Sequence, residues 1–441
     1  MSPTPQALLG DLLWFVDDPA ESDEACEFIP SGLVLIEDGH ISATGRADQL
    51  LHTLPADTQV HDHRGCLITP GFIDTHVHYP QCEIIASYGT RLLEWLETYT
   101  FPGEAKFSDA EHARTTTEFF LNELIRNGTT TALVFGTVHP QSVDQFFTEA
   151  RKRNLRMICG KVMMDRNAPD GLLDTAQSSY EESLELFKRW HGQSRLGYAI
   201  TPRFAPTSTD EQLQLAGQLK TEFPDAYVHT HLAENPEECR WVKELFPQCR
   251  DYVDVYDHFG LLGSRSIFAH AIHLQDREWE RLAATRSSVA HCPTSNLFIG
   301  SGLFNLKKAC EFGVSVGVGT DVGGGDSFSI LRTLNEAYKI QQLQEHSLSP
   351  LRALYLATLG GARALDLDRQ IGTFGVGAEA DIVVLNPSAT PLLTMRTASC
   401  KSLEELLFAL VMLGDDRTIS HTYVMGQEQK SGLNTQTILH D

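Results

Sequence analysis

Apolar positions along the chain change their rhythm twice. Two short β-type runs, Leu33-Val34-Leu35-Ile36 and Ile41-Ser42-Ala43-Thr44, flank the polar turn Glu37-Asp38-Gly39-His40 and predict a hairpin. Another short strand is expected over residues 61–68, so the opening of the chain reads as small and all-β. Beyond Gln81, buried-type strands alternate with helix-length amphipathic stretches. Strands are expected at 129–135, 156–163, 196–204, 226–233, 266–274, 288–293 and 314–320. Helices are expected at 108–126 (with Ser108 as its cap), 210–221, 237–246 and 276–286. With the stretch Leu67 through His78, this makes about eight strands, each followed by a helix-length connection. Eight such units predict a closed parallel (β/α)8 barrel of the TIM type, an α/β fold, rather than an open doubly wound sheet. No Gly-x-Gly-x-x-Gly follows a first strand, and Gly323-Gly324-Gly325 begins no such spacing. The tail returns to β at Ile382-Val383-Val384-Leu385, with a helix over 402–413 and a last hairpin near 418–427. We therefore expect a barrel over 70–372. Residues 1–69 and 373–441 should pair into one small discontinuous β-sandwich.

Composition narrows the partners. The 441 residues are 42% hydrophobic and 21% charged, with a net charge of −23 and no basic block. Such a field repels nucleic acid and anionic membrane and disfavours highly phosphorylated substrates, leaving a small neutral or weakly charged molecule. Nine cysteines without a Cys-x-x-Cys fit reduced thiols. The apolar stretch before Val16 is interrupted by Asp11, has no basic lead-in and is too short to span a bilayer. A cytoplasmic location is expected.

The chemistry starts at Pro70-Gly71-Phe72-Ile73-Asp74-Thr75-His76-Val77-His78-Tyr79-Pro80-Gln81. On a strand, His76 and His78 share a face, which is half of a zinc site. The spacing alone is weak, since His61 and His63 repeat it in the N-terminal region, where they read as sheet-surface residues. Company further along strengthens it. The fifth barrel strand ends in His229-Thr230-His231-Leu232-Ala233-Glu234, the sixth carries His270 and His273, and the last ends in Gly319-Thr320-Asp321. Active sites of such barrels gather at the carboxyl ends of the strands, so four strands deliver ligand-type side chains to one place.

These motifs, with Gly-x-x-Ala-Asp-Ile-Val-Val-Leu around Asp381, resemble the amidohydrolase superfamily. Tyr79-Pro80-Gln81, Leu93-Glu94-Trp95-Leu96, Thr100-Phe101-Pro102, Thr201-Pro202-Arg203-Phe204-Ala205-Pro206 and His291-Cys292-Pro293-Thr294-Ser295-Asn296 resemble its guanine-deaminating branch, and the likeness covers nearly the whole chain. The resemblance implies one Zn²⁺ per subunit held by His76, His78, His231 and Asp321. His270 would be either a distant ligand or a hydrogen-bond partner of the metal's water, and Glu234 the proton shuttle. Zinc with an open position lowers the pKa of water from ~15.7 to about 7, giving a zinc-bound hydroxide near neutrality, and a nearby carboxylate can move protons without ligating. A binuclear site bridged by a carboxylated lysine is disfavoured, because the fourth strand carries Arg203. Lys161, the nearby competitor, reads as a surface or core-edge ammonium. The His-x-Glu and Pro-Cys-x-x-Cys of cytidine-deaminase sites are absent.

The implied reaction is hydrolysis of guanine to xanthine and ammonia, a step of purine catabolism, with Glu234 protonating N3 and hydroxide attacking C2. Asp321 and His270 would handle the water's proton. Arg203 suits the O6/N7 edge of guanine, against the plainer reading of a barrel-mouth salt bridge. Gln81 would complement ring nitrogens, while His78, His231, Glu234 and Asp321 face the same substrate. Phe204 is either a pocket wall or core, and Trp95 and Leu96 are either a lid or core. His229 and His273 stay outside the ligand set, and His291 is unassigned. Two other readings remain: a deaminase or chlorohydrolase of triazines or other amino-heterocycles, and a metal-free scaffold. The family likeness implies a homodimer.

Overall fold

The computed structural model describes residues 4–22, 24–89 and 91–429; residues 430–441 of the expected C-terminal unit lie outside them. Four strands open the chain: β1 (Gln6–Phe15), β2 (Cys26–Glu37), β3 (His40–Arg46) and β4 (Gln59–Pro70). The barrel follows as β5 (Phe72–His78), β6 (Thr129–Phe135), β7 (Arg156–Gly160), β8 (Val162–Met163), β9 (Gly197–Pro202), β10 (Tyr227–Leu232), β11 (Ser266–His270), β12 (Ser288–His291) and β13 (Val316–Val318). The tail adds β14 (Ile382–Leu385), β15 (Ile419–Val424) and β16 (Gln427–Glu428).

The terminal segments form one seven-stranded sheet in the order β16-β15-β14-β4-β1-β2-β3. Its predicted hairpin turns at Asp38-Gly39, both at positive φ (49° and 79°), the geometry that suits the twist of paired strands. β4 is the link between the two ends of the chain, with Ile68 opposite Val384. Leu8, Leu12, Ile36, Ile68, Ile382, Val384 and Tyr423 close into one buried cluster on it. His63 is not on the sheet surface as expected. It is buried, and its Nε2 meets the Tyr423 hydroxyl at 2.8 Å.

β4 passes into β5 through Gly71 alone, where any side chain would collide with Thr130. From there β5, β6, β7, β9, β10, β11, β12 and β13 pair in parallel around a nearly closed barrel. Ile73, Leu133, Ile158, Ala199, Tyr227, Ile267 and Ala290, one from each of seven strands, pack into one buried cluster with Ala362, Leu365, Leu367 and Ile371. Residues three or four further along a strand then stand roughly 10–13 Å beyond this layer, and His76, Arg203, His231 and His270 occupy that level.

Several expected strands run too long. The structured ladder stops at Leu232, His270 and Val318, where the chain bends inward through left-handed residues: Ala233 (φ 47°), His270 (72°), Ala271 (52°) and Asp321 (50°). Such conformations cost about 1–3 kcal/mol each outside glycine and survive where the surroundings impose them. The third strand is split at Lys161 into β7 and β8. The helix Ala110–Arg126 is capped by Asp109, whose side chain accepts from Glu111 N, rather than by Ser108.

Candidate active site

The barrel seam lies directly beneath the site. Among the described residues, no continuous ladder joins β13 to β5. Discrete bonds close the gap: Thr75 Oγ1 donates to Val318 O (2.9 Å), Asp321 N to His76 O (2.9 Å) and His78 N to Val322 O (2.9 Å). Asp74 accepts from the backbone N–H of Thr320 (3.1 Å), from the Thr320 hydroxyl and from His76 N (3.2 Å). Burial raises the Asp74 carboxyl to about 7, with the Asp321 charge adding to the rise and the three hydrogen bonds opposing it. First and last strands are thereby locked with their imidazoles and carboxylate facing one another.

His78 Nε2 stands 3.2 Å from both His76 Nε2 and His231 Nε2, and Asp321 Oδ1 is 3.2 and 3.3 Å from the His76 and His78 nitrogens. The His231 tautomer follows from its other nitrogen. Nδ1 meets the carbonyl oxygen of Arg203 at 2.7 Å, so it carries the hydrogen and Nε2 presents a lone pair. His76 Nδ1 is engaged by His229 Nε2 at 2.7 Å. Burial holds His76, His78 and His231 well below the usual imidazole range, so they are neutral. Neutral imidazole lone pairs converging with a carboxylate at hydrogen-bond distance repel one another unless a cation sits among them. The donor set fits a divalent metal of the zinc type. Cys292 also lies within reach of His76, His270 and Asp321. Burial and the surrounding carboxylates keep its pKa well above the normal thiol range, so it is a neutral thiol.

His270 lies to one side of this set. Its Nδ1 meets Asn296 Oδ1 at 2.9 Å, and its Nε2 points between Glu234 Oε2 (3.5 Å) and Asp321 Oδ2 (3.8 Å). Burial pushes its pKa down, but the two carboxylates outweigh that and leave it above the ordinary value. Glu234 is buried and accepts from the Ser301 hydroxyl at 2.8 Å. Burial and the Asp321 charge raise its carboxyl, against the opposing pull of His270. A carboxyl so raised can hold a proton and give it up nearby.

A small cavity opens above these groups. His78, Gln81, Arg203, Phe204, His231, Glu234, His270 and Asp321 all line it, together with Leu92, Trp95, Leu96, Ile299 and Gly324. Every residue predicted for the site is therefore gathered here, His76 lying buried behind His78. Trp95 and Leu96 serve as both wall and core, being buried and cavity-lining. Arg203 is at once a cavity residue and an ion-pair partner, since its Nη1 donates to Glu104 at 2.8 Å. His273 Nε2 meets the carbonyl oxygen of Ser301 at 2.9 Å, and His291 stacks on Phe304; both lie off the cavity. Lys161 is neither on the surface nor at the core edge. It is fully buried at the break between β7 and β8 and paired with Asp174 and the partly exposed Glu182. Sequence reasoning missed Glu104, Asn296, Ser301 and the role of His229 beside His76. Glu104 falls two residues beyond the quoted Thr100-Phe101-Pro102, and Asn296 ends the quoted run from His291, so proximity to those motifs was the available signal.

Among the described residues, no helix is long and apolar enough to cross a membrane. Residues 67–428 match the model of the amidohydrolase family. The chain is 56% identical over 417 residues to guanine deaminase of Escherichia coli (strain K12), covering 95% of each chain. It is 45% identical to a probable guanine deaminase of Deinococcus radiodurans, covering 92% of this chain and 94% of that one. A solved guanine deaminase from C. acetobutylicum with bound guanine in the active site superposes with a TM-score of 0.87 at 30% identity, over 96% of this chain and 99% of that one. A family match across most of the length, joined to a metal-type donor set at the mouth of a parallel barrel, makes the conclusion direct: the chain belongs to the amidohydrolase family.

Proposed function

We propose that this protein hydrolyses guanine to xanthine and ammonia, in purine catabolism, with one Zn²⁺ per subunit. The observation that carries the reading is the meeting, in one cavity, of a histidine–aspartate donor set with an arginine–glutamine pair suited to an oxopurine edge. Relatives named for action on guanine support it, one of them solved with that base bound. His76, His78, His231 and Asp321 would hold the cation, which when bound supplies Lewis-acid activation of water near neutral pH. Arg203 donates an N–H to O6, Gln81 donates to a ring nitrogen, and Phe204 walls the purine. Glu234 gives its proton to N3, which makes C2 electrophilic. The water oxygen forms a bond to C2 while Asp321, with His270 beside it, receives the water's proton. Glu234 then takes the remaining proton from the new C2 hydroxyl, Glu234 or Asp321 delivers a proton to the exocyclic nitrogen, and the proton left on the other carboxyl restores protonated Glu234. The C2–N bond then breaks, ammonia leaves and the carbonyl of xanthine forms. Adenine lacks the O6 acceptor and would leave the substrate-facing N–H of the buried Arg203 without an acceptor, a costly mismatch even though Glu104 still balances its charge.

Nine free cysteines support a reducing, cytoplasmic setting, and the family likeness supports a homodimer. Metal-loaded protein mixed with guanine should abolish the ultraviolet absorbance of guanine and release ammonia, with adenine, cytosine and melamine unchanged. Turnover of melamine but not guanine would reassign the substrate.

A further inference from the structure

Glu104 sits on the short helix Phe101–Ala105 with its side chain 1% exposed. A carboxylate so deep survives only with its charge and lone pairs answered. Both oxygens are answered from the substrate side of the cavity. Oε2 accepts from Arg203 Nη1 at 2.8 Å, and Oε1 accepts from Gln81 Nε2 at 3.0 Å. Gln81 Oε1 in turn accepts from Gly323 N at 3.2 Å, which defines the orientation of the amide: its NH2 faces Glu104 and its carbonyl faces Gly323. The Arg203 guanidinium lies 5.6 Å from the centre of the Phe101 ring, so one five-residue helix touches the arginine twice. Among the described residues, Glu104 is the sole hydrogen-bond acceptor to the Arg203 side chain.

We infer that Glu104 is a specificity-determining residue that acts through Arg203 and Gln81, making the pocket select a neutral oxopurine over an anionic one. The inference rests on the proposed action on guanine. A buried guanidinium without a counter-charge draws in anions. Paired with Glu104, it keeps directional N–H groups and loses its net attraction. The consequence reaches product release: the diketo ring of the product gives up a proton more readily than the lactam of the substrate. A charge-balanced pocket therefore avoids retaining the product anion. Glu104 also keeps one amide hydrogen of Gln81 engaged, leaving the other for a ring nitrogen.

The test compares wild-type holoenzyme with Glu104→Gln, measuring guanine kinetics, inhibition by potassium urate (an oxopurine anion at neutral pH) and metal content. The amide should leave metal content unchanged. We expect KM for guanine to rise by about tenfold or more while kcat changes by less than about threefold, the signature of lost substrate binding with the chemical step intact. Urate should inhibit the variant about tenfold more strongly than the wild type, a gain that simple loosening of the fold does not produce. Should Glu104→Gln fail to fold, the double variant Glu104→Gln/Arg203→Met decides. With both charges gone it should fold with full metal content and bind urate no more tightly than wild type; tight urate binding by it overturns the inference. Wild-type turnover of guanine with unchanged KM and unchanged urate inhibition in Glu104→Gln overturns the inference alone. Absence of guanine turnover by the wild type overturns the proposed function itself.

Discussion

Three neighbours set the state of Glu234: the Ser301 hydroxyl on one oxygen, His270 facing the other, and the charge of Asp321 beyond. Its amide replacement keeps the shape and can still accept from Ser301, but it has no proton to shuttle. Glu234→Gln should therefore retain metal, measured by elemental analysis, while kcat falls by about 10²–10⁴-fold. An active variant with normal metal content would remove this residue from the reaction. Single-residue chemistry was readable where local geometry decided it. His76 and His78 share a strand face whatever the fold, and Glu234 follows His231 by three positions. Ser301, Asn296 and Glu104 were not readable, because each acts on a partner far away in the chain (67, 26 and 99 residues for their respective bonds). A serine, an asparagine and a glutamate carry no periodic signal of such a bond.

At the level of elements, the turn from β10 into the helix Pro236–Leu245 does double work. Asn235 caps the helix, and Glu238 reaches back so that its Oε2 accepts from Glu234 N (2.9 Å) and Asn235 N (3.0 Å). The Tyr252 hydroxyl donates to Oε1 at 2.7 Å. Burial, then the charge of Glu234, raises the Glu238 carboxyl from 4.5 to about 7. The sign follows from which state holds the proton. Between pH 4.5 and about 7 the folded protein keeps it and the unfolded chain has lost it, so raising pH through this window removes stability. The contribution is fully present below the unfolded value and gone above the folded one, with a slope of at most about 1.4 kcal/mol per pH unit. Glu238→Gln should flatten the pH dependence of the urea midpoint across that window; a slope equal to wild type would show that the group does not titrate there. The strand and helix types were legible from apolar rhythm, since burial on both faces needs continuous apolar runs. Strand ends were not, because the left-handed bends at Ala233, His270 and Asp321 answer to the packing of the mouth.

For the whole molecule, one largely buried charge network ties the terminal sheet to the barrel. Arg195 donates to Glu379 at 2.6 Å and also pairs with Asp381, while Arg156 Nε donates to Glu379 at 2.9 Å. Burial pushes Glu379 up, yet the two guanidinium groups hold it below the usual carboxylate value. Glu379→Ala leaves two arginines facing each other with one remaining carboxylate. We expect a loss of about 3–5 kcal/mol in chemical denaturation, whereas a loss under ~1 kcal/mol would mark the pairs as solvent-screened.

From its sequence alone this chain declared a barrel of eight parallel units, a β region contributed by both ends, and the side chains able to hold a metal. Those features follow from periods of two and 3.6 residues and from motifs whose members lie within a few positions of one another. Tertiary structure alone decided that Glu104 balances Arg203, that Lys161 is buried in a separate ion pair, and that Asn296 and Ser301 face His270 and Glu234. Those contacts form only when distant strands close on one another, and a charge carries no mark in the sequence of the partner that burial will require it to find.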